Sequence, residues 1–505
     1  MARYFGTDGV RGIANSELTC EMAFSLGQAA VQLLAGGHSL APAAPATPAN
    51  PAARPTFVIG RDSRRSGSML EAALVAGITS SGGDVLLAGV VPTPAVALLT
   101  RQLAAAGGVV ISASHNPPEY NGIKFFDGSG YKLTPELEGQ FEDWLQQAMR
   151  GVKSRGGRPS LGSPSVTGSN ASSGDASDGI SASASGGDGS GGTSGPRYCV
   201  GSSIGMAVPL TDASERYIAH AVGTLQAEGI SLAGLRVAVD CGFGAASHTS
   251  PEALRLLGAD VVAINNSFDG DCINVDCGST HLAPLIALVA ETGADIGLAH
   301  DGDADRLLAV DALGNVLDGD VIEAICALDL QARGQLTHNT VVSTVVCNLG
   351  FVQAMAAAGI EVVQTAVGDS NVLAAMRAGG YILGGEQSGH TIFLKHNTTG
   401  DGLVSGLQLL AAMVRSGRPL SELAKAMTRY PQTTINVPVA DRNAWEQDAA
   451  VQAAIQQVEQ QLGSTGRVLV RASGTEPLVR VMVEAAEEAA AQQAAESIAE
   501  CIRGT

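Results

Sequence analysis

The sequence predicts an α/β chain made of three similar mixed β–α blocks followed by a smaller α+β unit, on three observations. Apolar runs of strand length repeatedly stop at polar or glycine-rich turns and give way to helical stretches, as in Phe57–Ser63, Arg236–Gly244, Ala294–Arg306, Thr340–Val345 and Tyr381–His390. The chain is 45% hydrophobic yet only 4% aromatic, which suits helices layered on strands. From about Pro431 the pattern changes to a Gln- and Ala-rich helix, two alternating strands and a final Ala/Glu helix.

At 505 residues the chain exceeds a single core. Thirty Lys and Arg against 49 Asp and Glu give a net charge of −19, a surface that repels nucleic acid and anionic membranes. Neither is therefore expected as a partner. The longest apolar run, Val85 to Thr100, is broken by Pro92 and Pro94 and is too short to span a bilayer. Met-Ala-Arg-Tyr-Phe-Gly lacks the layout of a secretory leader, so a cytoplasmic location is expected. Eight cysteines lie scattered without a CxxC pair and read as reduced structural thiols.

The first block, residues 1–150, opens on the glycine-rich stretch Phe5–Gly12, where backbone can approach an anion and Arg11 supplies charge. A helix is expected over Cys20–Leu34, then an Ala/Pro loop insertion at about 36–55. A strand follows at Phe57, a helix over Ser68–Ile78, a strand over Val85–Leu87, a Val91–Pro94 turn, another helix, and the strand that runs into Ser114. In a largely parallel sheet ligands gather at the carboxyl ends of strands, where Arg61, Thr93 and Ser114 fall. Residues 151–200 are Ser/Gly-rich, cannot bury enough apolar surface to offset their ordering entropy, and read as a disordered linker. The remaining blocks are 201–316, 317–430 and 431–505, the last with a helix over Ala444–Leu462 and strands at Val468–Val470 and Val479–Val483.

Four loops carry chemistry. Val109-Val-Ile111 stops at Ser112-Ala-Ser-His115, with two prolines beyond and Lys124 ten residues after Ser114. A strand ending in a rigid loop of that kind presents a nucleophile and compensates its charge. Asp301, Asp303 and Asp305 alternate, so on an extended loop they face one side as hard oxygen ligands for a divalent cation. An EF-hand is excluded because its sixth and twelfth positions are Arg306 and Ala312. Gly384–His390 gathers carboxylate, amide, hydroxyl and imidazole, as a polyhydroxylated or amino sugar demands. Arg471-Ala-Ser-Gly-Thr-Glu-Pro477, with Arg480 beyond, offers hydroxyls, an open backbone and two guanidiniums to a phosphate.

In this order FGTDGVRG, SASHNP with NGIK, DGDADR, GEQSGH and RASGTEP closely resemble the bacterial phosphoglucosamine mutases of the α-D-phosphohexomutase superfamily. The likeness runs from Met1 to near Glu484. Gln387, between Glu386 and Ser388, resembles that branch; phosphomannomutase/phosphoglucomutase members more often carry methionine there. The resemblance implies four domains around a cleft, a phosphoserine at Ser114, and one Mg²⁺ held by Asp301, Asp303, Asp305 and a phosphoserine oxygen. It implies that Glu386, Ser388 and His390 grip the sugar. Arg471, Ser473, Gly474, Thr475 and Arg480 would hold the non-reacting phosphate. Interconversion of glucosamine 6-phosphate and glucosamine 1-phosphate through glucosamine 1,6-bisphosphate, a step toward UDP-N-acetylglucosamine, is the implied reaction. Arg11 and Lys124 would meet charge on the transferring group, with Arg306 in support; His115, Lys124 and His390 remain alternatives for proton transfer.

Two positions depart from the family pattern: Ser370 stands where Gly-Asp-Arg is common, and Phe243 stands where a small polar residue, often Asn, is usual. A phosphomannomutase/phosphoglucomutase is the nearest alternative, and a catalytically silent sugar-phosphate-binding protein a further one. The small-molecule partner is an amino-sugar phosphate, and the assembly a monomer or homodimer.

Overall fold

The computed structural model describes residues 4–6, 9–35, 54–154, 198–473 and 477–504. The Ala/Pro insertion up to residue 53 and the linker over 155–197 lie outside the described residues, as do Thr7, Asp8, Gly474 and Thr475.

Four sheets follow one another along the chain. The first has six strands in the order Val10–Ile13, Tyr120–Asp127, Gly107–Ile111, Thr56–Arg61, Asp84–Val90, Ala207–Pro209. Its last four strands run parallel, and the two at the other edge are antiparallel. The second places Val316–Leu317, Leu307–Asp311, Ile296–His300, Arg236–Asp240 and Asp260–Ile264 side by side. The third orders Glu361–Thr365, Thr340–Thr344, Leu383–Gly385 and Thr391–Phe393. The fourth is a three-stranded antiparallel sheet, Gln432–Pro438, Leu478–Ala485 and Gly466–Ala472, covered by Ala449–Leu462 and Glu488–Arg503. The sequence reading of three mixed α/β units and a smaller α+β one describes this architecture.

Local signals place the elements. Thr19 caps the helix Cys20–Leu34 by accepting the Met22 N–H, and that helix has the bounds read from sequence. The expected turn at Val91–Pro94 instead opens the helix Thr93–Gln102, because a proline in a first turn forfeits no intrahelical hydrogen bond. The helix expected from Ala444 starts at Ala449. There Asp448 accepts the N–H groups of Ala450 and Val451, and Ala444–Glu446 forms only a single 3₁₀ turn. The amphipathic helix Pro135–Ser154 carries through residues 151–154, which composition had placed in the linker. Ala207–Pro209, assigned from sequence to the second unit, returns as an edge strand of the first sheet beside Asp84–Val90.

One apolar cluster runs from Leu98 and Val110 through Tyr217 and Leu298 to Leu407, so the first three units share packing and hold their strand ends in register. No described helix is long and apolar enough to cross a membrane.

Candidate active site

Three loops from three sheets meet at one point. Ser114 follows the buried strand Gly107–Ile111 and is itself 1% exposed. Its φ of 52° lies in the left-handed region, which a serine enters only when neighbours hold it there. The Ser114 N–H donates to Ser112 Oγ at 2.9 Å, and Ser112 Oγ donates to Asp62 Oδ2 at 2.7 Å. That brace turns the Ser114 hydroxyl toward the second sheet, where it donates to Asp301 Oδ2 at 2.6 Å.

The acidic loop leaves the buried strand Ile296–His300 and returns as Leu307–Asp311. Asp301, Asp303 and Asp305 are all buried, with carboxylate oxygens within 4.8 Å of one another. Asp303 Oδ2 accepts from Lys124 Nζ at 2.9 Å and from Thr93 Oγ1 at 2.7 Å. Lys124 also lies 3.8 Å from Asp305. Burial and the neighbouring carboxylates push Asp301 up to about 8. Burial also works against charge on Asp305, but His390, Lys124 and Arg306 outweigh it and hold that carboxyl well below the usual range. Asp303 Oδ1 and Asp305 Oδ1 are buried without a hydrogen-bond partner among the described residues. Hard oxygens, two of them unpartnered, in a space this small fit a divalent cation.

The acidic loop packs closely on the Ser114 loop, and Gly302 permits it: a Cβ there would stand 2.7 Å from the Ser114 carbonyl oxygen. Gly9, at φ 79°, plays the same part for the amino-terminal loop, since a Cβ would stand 2.3 Å from the Ile123 carbonyl oxygen. Arg11 then sits on Val10–Ile13, opposite Gly122. Burial, then the charges of Arg306 and Arg11, lower His115 to about 4, and His115 Nδ1 lies 3.4 Å from Ser114 Oγ.

The third sheet contributes His390 and Glu386. His390 is buried, with Nδ1 3.6 Å from Asp305 and Nε2 3.6 Å from Asp369, and the Gly400 N–H donates to Nε2 at 3.1 Å. Asp369 in turn pairs with Lys132 of the first unit. Glu386 accepts the Gly368 N–H at 3.0 Å and the Ser388 hydroxyl at 3.4 Å, which ties the loop 384–390 to the turn before helix Asp369–Gly379. Burial opposes the Arg306 charge, but Asp305, Asp301 and Glu386 outweigh it. Gln387, whose side chain approaches Asp318 at 3.5 Å, faces its own unit.

Thus Ser114, Lys124, the three aspartates, His115, Arg306 and His390 come together, with Arg11 and Glu386 acting on them through charge. Arg471 and Arg480 belong to the fourth sheet, and Ser473 lies just past the end of its strand Gly466–Ala472. Arg471 and Arg480 face one another across the strand pair, and burial together with Arg480 lowers Arg471. Ser473 is buried, its N–H on the Leu478 carbonyl at 2.9 Å.

Sequence reasoning missed Asp62, Arg64 and Asn274. Arg64 belongs to the run Arg61-Asp-Ser-Arg-Arg65, and charge alone does not say which arginine turns inward. Arg61 faces Glu71 at 3.4 Å, Arg65 pairs with Asp271 at the surface, and Arg64 alone of the three is fully enclosed. Phe243, at φ 55°, fills a left-handed turn that suits Asn, and its carbonyl accepts the Ser63 hydroxyl at 2.7 Å.

Comparison with known proteins agrees with the four-unit fold. Family models described as phosphoglucomutase/phosphomannomutase match in order: alpha/beta/alpha domain I over residues 2–150, domain II over 215–314, domain III over 318–430 and the C-terminal domain over 435–501. The phosphoglucosamine mutase of Symbiobacterium thermophilum is 48% identical over 507 residues, covering 100% of this chain and 99% of that protein. Among solved structures, a phosphoglucomutase/phosphomannomutase family protein from Burkholderia thailandensis superposes with a TM-score of 0.72 at 22% identity, over 99% of this chain and 97% of that one. Aspergillus fumigatus N-acetylphosphoglucosamine mutase, solved in complex with GlcNAc-6P and magnesium, gives 0.65 at 17% identity, over 100% and 96%. Fold and relatives define an isomerase of the phosphohexomutase class. The chain belongs to the phosphoglucomutase/phosphomannomutase family, in its phosphoglucosamine mutase branch.

Proposed function

We propose that this isomerase interconverts glucosamine 6-phosphate and glucosamine 1-phosphate, with residue 114 as a phosphoserine and glucosamine 1,6-bisphosphate as the intermediate. One observation carries the chemistry: the Ser114 hydroxyl lies 2.6 Å from Asp301 Oδ2, inside the buried acidic cluster. The choice of an amino sugar is supported by the names of the relatives. The ligands of the Aspergillus protein support a sugar phosphate and magnesium.

In the forward direction the bond between phosphorus and Ser114 Oγ breaks while one to the sugar 1-oxygen forms, and the 1-hydroxyl proton leaves to a base. The bisphosphate then turns over, the bond between phosphorus and the sugar 6-oxygen breaks as one to Ser114 Oγ forms, and the 6-oxygen takes a proton back from the acid form of the base. Asp301, Asp303 and Asp305 would hold Mg²⁺ with an oxygen of the phosphoserine. When bound, the cation would neutralise charge on the transferring group. Lys124 brings a fixed ammonium to the same place, and Arg11 and Arg306 add charge that needs no reorganisation during transfer. His115, Lys124 and His390 are the candidates for proton transfer. Glu386, Ser388 and His390 would grip the sugar, while Arg471, Ser473, Gly474, Thr475 and Arg480 would steady its idle phosphate through bidentate contacts.

Turnover of the purified protein on glucosamine, glucose and mannose 6-phosphates, with and without Mg²⁺, tests this. The amino sugar is expected to lead, with activity dependent on the metal; preference for mannose would reassign the substrate.

A further inference from the structure

We propose that Asn274 is a positioning residue for Ser114, the second-unit half of a clamp whose first-unit half is Arg64. The inference rests on the reading of Ser114 as the nucleophile.

Arg64 is 1% exposed, and its guanidinium is spent on structure. Nε donates to Asp62 Oδ2 at 2.9 Å, Nη1 to the carbonyls of Pro117 and Tyr120, and Nη2 to the carbonyls of Ser114 at 2.9 Å and Asn116 at 2.7 Å. The planar fork of an arginine suits this task, and a lysine could not repeat it. Asn274 comes from the other side, in the loop that follows strand Asp260–Ile264 of the second sheet. Its amide donates to the same two carbonyls, Ser114 at 2.8 Å and Asn116 at 3.1 Å. Both carbonyls are thus shared between one donor from each unit.

Asn274 is placed for that role by its own backbone, at φ 60°, with its N–H on the Gly242 carbonyl at 3.1 Å and its carbonyl accepting from Thr280 at 3.3 Å. The metal loop lies on the same spot: a Cβ at Gly302 would stand 2.7 Å from the Ser114 oxygen and 3.0 Å from Asn274 Nδ2. Ser114 itself is held at φ 52°, a conformation its neighbours must enforce. Registration of the first unit on the second therefore sets where the Ser114 oxygen points relative to the three aspartates, and Asn274 transmits that registration.

Asn274→Gly isolates the amide, because glycine accepts the left-handed backbone without strain. The variant is expected to lose roughly 10- to 100-fold in kcat, the scale of a misplacement of about 1 Å, with KM for glucosamine 6-phosphate nearly unchanged. Transfer of phosphate from glucosamine 1,6-bisphosphate to Ser114, followed by intact mass, should slow in parallel. Asn274→Asp, which sets a carboxylate against two carbonyls, should lose more, and whichever of the two variants folds decides the matter. Wild-type kcat in a folded variant would overturn the clamp. A wild-type protein that neither turns over the amino-sugar phosphates nor takes phosphate on Ser114 would instead overturn the proposed function.

Discussion

Two arginine settings in this molecule look alike in sequence and differ in physics. Arg64 is enclosed, bound to the buried Asp62 carboxylate, with its fork distributed over four backbone carbonyls. Arg471 and Arg480 stand opposite one another across an antiparallel pair, half-buried like charges whose mutual presence, with burial, lowers Arg471. The first arrangement is complete without a ligand. The second brings two like charges together, the setting proposed above for the idle phosphate. The difference teaches that a buried cation whose donors are spent on backbone serves geometry, whereas a pair of opposed cations keeps a charge that the proposed function assigns to the substrate's phosphate.

The contrast can be broken most severely at the centre that Arg64 organises. Ser114→Ala should reduce turnover to background while the protein stays folded, with at most a small drop in unfolding temperature for the lost hydrogen bond to Asp301; full mutase activity would remove Ser114 from its role. Next in size, Asp303→Asn should cost on the order of 10²-fold in kcat, as for loss of a preorganised charge in a transferring-group site. Added Mg²⁺ should restore little of it, whereas chelated wild-type enzyme should recover fully when Mg²⁺ is returned. An unchanged metal titration in the variant would count against the acidic loop as ligand. At the second setting, Arg471→Gln should raise KM for the sugar phosphate by roughly 10- to 100-fold, the worth of a charge-assisted hydrogen bond, with the Mg²⁺ dependence unaltered. A fall in kcat at constant KM would place Arg471 in the chemistry instead. The smallest effect belongs to a third arginine, Arg65, whose pair with Asp271 is 81% and 57% exposed. Arg65→Ala should leave the midpoint of chemical denaturation essentially unchanged, and a clear loss would mean that this surface pair fastens the first two units.

Much of this was legible in the chain. Strand ends carry the chemistry because apolar runs such as Val109–Ile111 stop at polar loops, and the alternating aspartates announce one face before any fold is known. The helix Cys20–Leu34 carries its own cap in Thr19. What could not be read is what depends on distant contacts. Arg64 and its neighbours Arg61 and Arg65 are indistinguishable until the loop 114–120 closes over one of them. Asn274 lies 160 residues from the carbonyl it holds, in a stretch whose composition gives no hint of function. The return of Ala207–Pro209 to the first sheet is likewise a tertiary choice, made by an edge strand with no periodic signature of its own.

The central claim is that one cation touches both the acidic trio and the phosphoryl group on Ser114. Phosphorus NMR of the phosphorylated protein, titrated with Mn²⁺ in place of Mg²⁺, tests that contact directly. Stoichiometric Mn²⁺ should broaden the phosphoserine resonance severely in the wild type and much less in Asp303→Asn. A resonance that stays sharp while Mn²⁺ is bound would contradict it.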